Sequence, residues 1–350
     1  MGEILGLGVT HFPPLSGTDE SMGRILKRVL DDPALPERYR HPEGWPAAMR
    51  EEYGADQGLS AARRHREALI SGFRNARRVL DEFAPDVVVI WGDDQYENFR
   101  EDIIPPFCLL AYEGMTPKPW EYYRFQNAWN EPKDKVFEYR GHQEAGKYIA
   151  GKMLETGFDV SYAYRPLHHQ LGHAFLNTLL FLDYDRQGFP YPVLPFQVNC
   201  YGRRVVAQQA GVRSLSELPS EDDLDPPSPL PWRCFDLGAA CARIAADSPY
   251  RVALIASSSW SHAFLTPKNY LLYPDVPADR GLYDALVRSD YAAWRERPLS
   301  AVEDSGQQEI LNWMCLVGAL NALERKPIET GFVDTWIFNS SKAFLIAPPG

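Results

Sequence analysis

No stretch of this sequence approaches the ~20 consecutive apolar residues of a membrane-spanning helix. Its first residues also lack a basic segment followed by an apolar one. Neither a membrane role nor a secretory leader is therefore expected. Basic charge is scarce as well: 36 Lys and Arg stand against 47 Asp and Glu, for a net charge of −11. That balance argues against a nucleic-acid partner, whose phosphates require clustered Lys and Arg. Cysteine is sparse, with Cys108, Cys200, Cys234, Cys241 and Cys315 widely spaced, odd in number and without CxxC spacing. A disulfide framework and a zinc knuckle are both disfavoured, and small buried thiols in a reducing cytoplasm are expected. The sequence also has no GxSxG elbow, no HExxH helix motif, no repeat of fixed period and no low-complexity tract.

What is present is globular in character. Apolar residues make up 45% and aromatic residues 13% of 350 positions, enough to bury the core of a single domain covering 1–350. Short β-branched runs bounded by turn residues predict buried strands near 3–9, 86–91, 193–198 and 252–256. Extended segments are also expected near 103–110 and 158–164. Leu69, Ile70, Phe73, Ala76 and Leu80 form an apolar stripe at helical spacing in a helix from a Ser60 cap to about Phe83. Further helices are expected near 142–156, 171–182, 234–246, 281–295 and 305–324. Strands alternating with helices predict an α/β fold with a central mixed sheet flanked by helices. Residues ~19–60 read as an insertion leaving the core, and ~213–232, rich in Ser, Asp, Glu and Pro, as a surface loop.

Three apolar runs end in polar side chains: Gly8-Val9-Thr10-His11, Trp91-Gly92-Asp93-Asp94-Gln95-Tyr96, and Ala256 through Trp260-Ser261-His262. A buried sheet presents chemistry at its carboxyl edge in this way. Adding Glu309 and His173 gives the parts of a mononuclear metal site with acid/base help. Each residue taken singly also has an ordinary structural explanation. A histidine at a strand end is often a satisfied core group, adjacent Asp93 and Asp94 can cap a turn with one of them facing a site, and Glu309 could lie on a helix surface. The cluster His168-His169-Gln170-Leu171-Gly172-His173 reads otherwise as a polar loop leading into a helix.

Taken in order, Thr10-His11-Phe12-Pro13, Asp94 through Phe107, Gly172-His173, Val193 through Asn199, Ser261-His262 and Glu309 through Leu320 resemble motifs of the class III extradiol ring-cleaving dioxygenases. This is the family of the protocatechuate 4,5-dioxygenase catalytic subunit. The resemblance implies that His11 and Glu309 hold a ferrous ion. It implies that His262 takes a proton from a substrate hydroxyl, and that His173 contacts substrate or acts as an acid. The family's second metal-binding histidine follows an Asp, and here that pair is Asp94-Gln95. Gln95 through its amide oxygen, or Asp94, would complete the set, and either favours a harder ion such as Mn²⁺ beside Fe²⁺. Tyr96 and Trp260 are expected to wall the substrate ring, with Trp91 and Phe264 as further candidates. The implied activity is metal-dependent opening of a catechol-like ring with O₂. A metal-dependent C–C or carbonyl hydrolase and a non-catalytic binding subunit are the alternatives. The resemblance admits a homo-oligomer or a small companion subunit.

Overall fold

The computed structural model describes residues 2–123, 125–211 and 214–350. Ten strands are present among them: β1 Ile4–Val9, β2 Val87–Gly92, β3 Phe107–Leu110, β4 Gly114–Met115, β5 Tyr139–Arg140, β6 Ser161–Ala163, β7 Val193–Val198, β8 Val252–Ser257, β9 Glu329–Val333 and β10 Lys342–Ala347. Eight of these form one mixed sheet in the order β6-β3-β7-β2-β8-β1-β10-β9, and β4 with β5 makes a separate ribbon. The central strands β7, β2, β8 and β1 are mutually parallel. The sheet reverses direction on both flanks, where β3 runs against β7 and β10 against β1.

The parallel strands are covered on both faces, so they read as continuous apolar runs rather than alternating ones. Their side chains nonetheless divide with period two. Val87, Val89 and Trp91 of β2 enter one core cluster, and Val88 and Ile90 the other. On the first face the helices Pro231–Ala246 and Ile310–Ala322 pack very closely. A Cβ on Gly238 would sit 1.8 Å from the Cys315 carbonyl oxygen, and one on Gly318 would sit 1.9 Å from that of Phe235. Only glycine allows this approach, and it fixes the axis of the helix that begins just after Glu309. On the second face lies the helix Leu59–Phe83, which buries Leu69, Phe73, Ala76 and Leu80.

Several expectations need adjustment. Ser60 does not cap that helix: Gly58 occupies the cap position, and the Ser60 amide donates to Asp56 Oδ2 at 2.8 Å. The segment 19–60 is not an excursion, because Met22, Leu26, Val29, Leu35, Trp45 and Met49 are buried in the second core cluster. Of the loop expected over 213–232, residue 213 lies outside the described residues. The following stretch carries short 3₁₀ turns at Leu215–Glu217 and Glu221–Asp223 before the helix opens at Pro231. The two helices expected near 281–295 and 305–324 are shorter pieces, Val276–Val287, Tyr291–Arg295, Leu299–Asp304 and Ile310–Ala322. All five cysteines are free and buried. No helix among the described residues is long and apolar enough to cross a membrane.

Candidate active site

Register fixes where the chemistry emerges. Val9 pairs with Ser257, and Trp91 with Ala256. The residues after β1, β2 and β8 therefore leave the sheet at the same level, at the carboxyl edge of its parallel centre. His11, Asp93 and His262 arrive there from three strands, and Glu309 from the N-terminus of the Ile310–Ala322 helix.

His11 is held by its far nitrogen. Nδ1 lies 3.1 Å from the Ser257 carbonyl oxygen, and donation to that carbonyl leaves the Nε2 lone pair facing inward. Nε2 lies 3.3 Å from Glu309 Oε2 and 3.5 Å from Asp93 Oδ1. Both carboxylates are wholly buried. Asp93 Oδ2 has no hydrogen-bond partner, and Glu309 Oε2 meets His11 outside hydrogen-bond geometry. Ligand atoms of His11, Asp93 and His173 lie within 4.8 Å of one another. Buried carboxylate oxygens without donors, set against an imidazole lone pair, form a donor set short of positive charge. Such a set fits a divalent cation.

The rest of the Glu309 environment is polar and directional. Oε1 accepts from the Tyr201 hydroxyl at 2.6 Å and from the Gln95 amide at 3.0 Å. His262 Nε2 is 3.3 Å from the same oxygen. Burial would raise the pKa of Glu309, but His262 and His11 in their protonated forms, with the hydroxyl of Tyr201, outweigh it and hold the group well below the usual carboxylate range. Asp93 moves the other way, pushed up by burial and by the neighbouring Glu309 charge. His262 is pushed down by burial in spite of Glu309, which keeps its ring neutral and able to accept a proton.

Asp94 is not a ligand candidate. Its Oδ1 accepts from the amides of Glu97 and Phe99 at 2.9 and 3.2 Å, and its Oδ2 from that of Asn98 at 3.0 Å. It is the turn former of the acidic pair, and Asp93 is the member beside His11. Glu97 acts on His173: its Oε2 lies 3.0 Å from His173 Nδ1, and its Oε1 accepts the His173 amide at 2.9 Å. Burial would lower the pKa of His173, but Glu97 overrides it and raises the pKa to about 10. The ring of His173 meets that of His11 edge-on at 5.1 Å. His168 pairs with Asp102 and His169 packs against Tyr122 with the rings tilted by 46°, so neither joins the cluster.

His11, Gln95, His173, His262 and Glu309 all line one cavity of about 490 Å³, a volume suited to a small aromatic ligand. Tyr96 and Trp260 do not line it. Tyr96 sits at φ +60° in the turn that Asp94 organises and gives its hydroxyl to Glu101. Trp260 is completely buried, edge-on to Trp294 and Trp313 at 5.7 and 5.4 Å, and serves the core. Trp91 likewise belongs to the core. The aromatic wall comes from Phe12, Phe125 and Phe264. Tyr201 and Glu97 were not singled out in the sequence. Tyr201 follows the end of β7 just as His11 follows β1, and that parallel was the available signal.

No family model matches the chain. Curated proteins do. The Pseudomonas putida protein named 2,3-dihydroxyphenylpropionate/2,3-dihydroxicinnamic acid 1,2-dioxygenase 2 is 29% identical over 192 residues, 54% of this chain and 47% of the relative. Proteins named 2,3-dihydroxyphenylpropionate/2,3-dihydroxicinnamic acid 1,2-dioxygenase are similar too. The one from Comamonas testosteroni is 26% identical over 59% of this chain and 51% of its own length. The one from Rhodococcus jostii (strain RHA1) is 27% identical over 55% and 48%. The chain thus spans about half the length of the curated relatives it matches.

Proposed function

We propose that this chain, a homologue of the class III extradiol ring-cleaving dioxygenases, opens the ring of a catechol-like substrate with O₂. The observation that carries the reading is the buried set of His11, Asp93 and Glu309, under-supplied with donors, of which His11 and Glu309 face a cavity shared with His173 and His262. His11 and Glu309, joined by Asp93, would hold a divalent cation, Fe²⁺ first and Mn²⁺ as the harder alternative, while Gln95 turns its amide nitrogen to Glu309 and would have to turn over to offer its oxygen. Such an ion, when bound, supplies the positive charge that makes a catechol hydroxyl easier to deprotonate and gathers substrate and O₂ in one place.

The protein's own groups then divide the proton work. His262, kept neutral by burial, accepts a proton from a substrate hydroxyl. His173, kept charged by Glu97, donates to oxygen as negative charge develops there. Phe12 and Phe264 flank the ring and exclude water. In the overall reaction a ring C–C bond beside a hydroxyl-bearing carbon breaks, and both atoms of O₂ enter the product, so no external reductant is consumed. The test is a screen of catechols under ¹⁸O₂ with Fe²⁺-loaded protein. A ring-opened product carrying two labelled atoms is expected. Absence of labelled product from every catechol would overturn the reading.

A further inference from the structure

Between β9 and β10 the chain runs through Phe338-Asn339-Ser340-Ser341-Lys342. Lys342 opens β10, which is antiparallel to β1, so it stands near the end of β1 from which His11 emerges. It is wholly buried. Its amino group donates to the carbonyls of Phe338 and Ser340 and lies 3.5 Å from the centre of the Phe12 ring, part of the cavity wall. A buried amino group needs such partners, and here they pin the turn. Ahead of the turn, the Thr335 hydroxyl accepts from the amides of Ile337 and Phe338 at 3.2 and 3.0 Å.

The turn is stitched to the segment that carries His262. Ser340 forms a β-bridge with His262, the Trp260 amide donates to the Ser341 carbonyl at 2.9 Å, and the Ala263 amide to the Asn339 carbonyl at 2.6 Å. Asn339 itself sits at φ +65°, a left-handed conformation that asparagine adopts more readily than most residues. It is buried, yet lines the same cavity as His262 and Glu309. Its Oδ1 accepts from the Phe264 amide at 3.4 Å, which fixes the direction of the side-chain amide. Nδ2 has no acceptor among the described residues. A donor left without an acceptor in a buried residue is costly, and a left-handed residue other than glycine carries strain. Both costs are understandable if the amide is kept for the cavity's occupant.

We infer that Asn339 is a substrate-binding residue, its Nδ2 donating a hydrogen bond to the ring oxygen that lies beside His262, and that Lys342 is the positioning residue that holds its turn. The identity of that oxygen rests on the ring-opening reading, whereas the unused donor is read from the cavity wall alone. A fixed donor aimed at an oxygen that gains negative charge strengthens as the charge develops.

The experiment is anaerobic titration of Fe²⁺-loaded protein with 4-nitrocatechol, which cannot be ring-opened without O₂ and whose absorption reports its ionisation. Asn339→Gly keeps the left-handed backbone and removes the amide. It should bind the probe about tenfold more weakly, with iron content and unfolding midpoint unchanged. Asn339→Asp keeps the acceptor for Phe264 but replaces the donor with a carboxylate oxygen. It should bind more weakly still and shift the bound spectrum towards the less ionised probe. Unchanged affinity and spectrum in both variants would overturn the inference. So would a loss in Asn339→Gly that tracks lost iron or a lowered midpoint, which would make Asn339 a structural residue, and so would failure of the wild type to bind the probe. A failed ring-opening screen with Asn339-dependent probe binding would sink the reaction alone. Active ring opening with probe binding indifferent to Asn339 would sink this assignment alone.

Discussion

The side-chain amide of Gln95 donates to Glu309 Oε1 across 3.0 Å, at the position where the family resemblance implies a metal-binding histidine. An amide there ties down the carboxylate instead of offering an imidazole. Gln95→His should therefore tighten Fe²⁺ binding by about tenfold or more, measured by anaerobic titration. Unchanged affinity would remove Gln95 from the metal's surroundings.

Glu97 sets the charge of His173. The raised folded pKa, about 10, means that the pair stabilises the protein fully below pH ~6.5 and loses that contribution as pH rises towards 10. In Glu97→Gln, burial is opposed only by the weaker pull of Asp93 and Glu309, and the imidazolium is lost at lower pH. The alkaline limb of the pH–rate profile should move down by more than ~1 unit. An unmoved limb would show that His173 is not the acid.

Asp279 supports the segment that carries His262, accepting from the Ser261 amide at 3.0 Å, the Ser261 hydroxyl at 2.5 Å and the Gln307 amide at 2.6 Å. Burial outweighs these bonds and raises its pKa from 3.8 to about 6. A raised carboxylate contributes stability below its unfolded value that is lost as pH climbs through the folded one. For this shift the loss is on the order of 3 kcal/mol between pH ~4 and ~7. Denaturant unfolding of Asp279→Asn across that window should show a decline smaller by this order. An identical decline in variant and wild type would contradict the assignment.

Gly318 is where the Ile310–Ala322 helix meets the Phe235 backbone. Gly318→Ala must push the two helices apart, costing about 1–3 kcal/mol or more and displacing Glu309. Unfolding midpoints and metal affinity should fall together. A loss of stability with undiminished metal affinity would separate this packing from the site.

Much of this arrangement was legible in the sequence because a buried parallel sheet leaves a simple mark. His11, Gln95 and His262 each follow an apolar run, and the structure brings all three to one cavity together with His173 and Glu309. Other features turn on side-chain direction, which spacing does not encode. Asp93 and Asp94 are adjacent and chemically identical, and only the turn amides of Glu97, Asn98 and Phe99 decide which faces inward. Tyr96 and Trp260 sit beside site residues in sequence but point elsewhere, one turned by a left-handed backbone and the other drawn into a tryptophan cluster. The antiparallel strands β9 and β10 were not anticipated. Glu329–Val333 is only partly buried and, as the edge strand, lacks the fully apolar run that marks the centre of the sheet.

The central claim is that the cluster at His11 and Glu309 holds the ion on which ring opening depends. The most direct test compares wild type and Glu309→Ala, loaded anaerobically with Fe²⁺ and desalted, for bound metal by elemental analysis and for catechol-dependent O₂ uptake. Near-stoichiometric iron with uptake in the wild type, and loss of both in the variant, is the predicted result. Full metal retention in Glu309→Ala, or O₂ uptake by wild type stripped of metal, would contradict it.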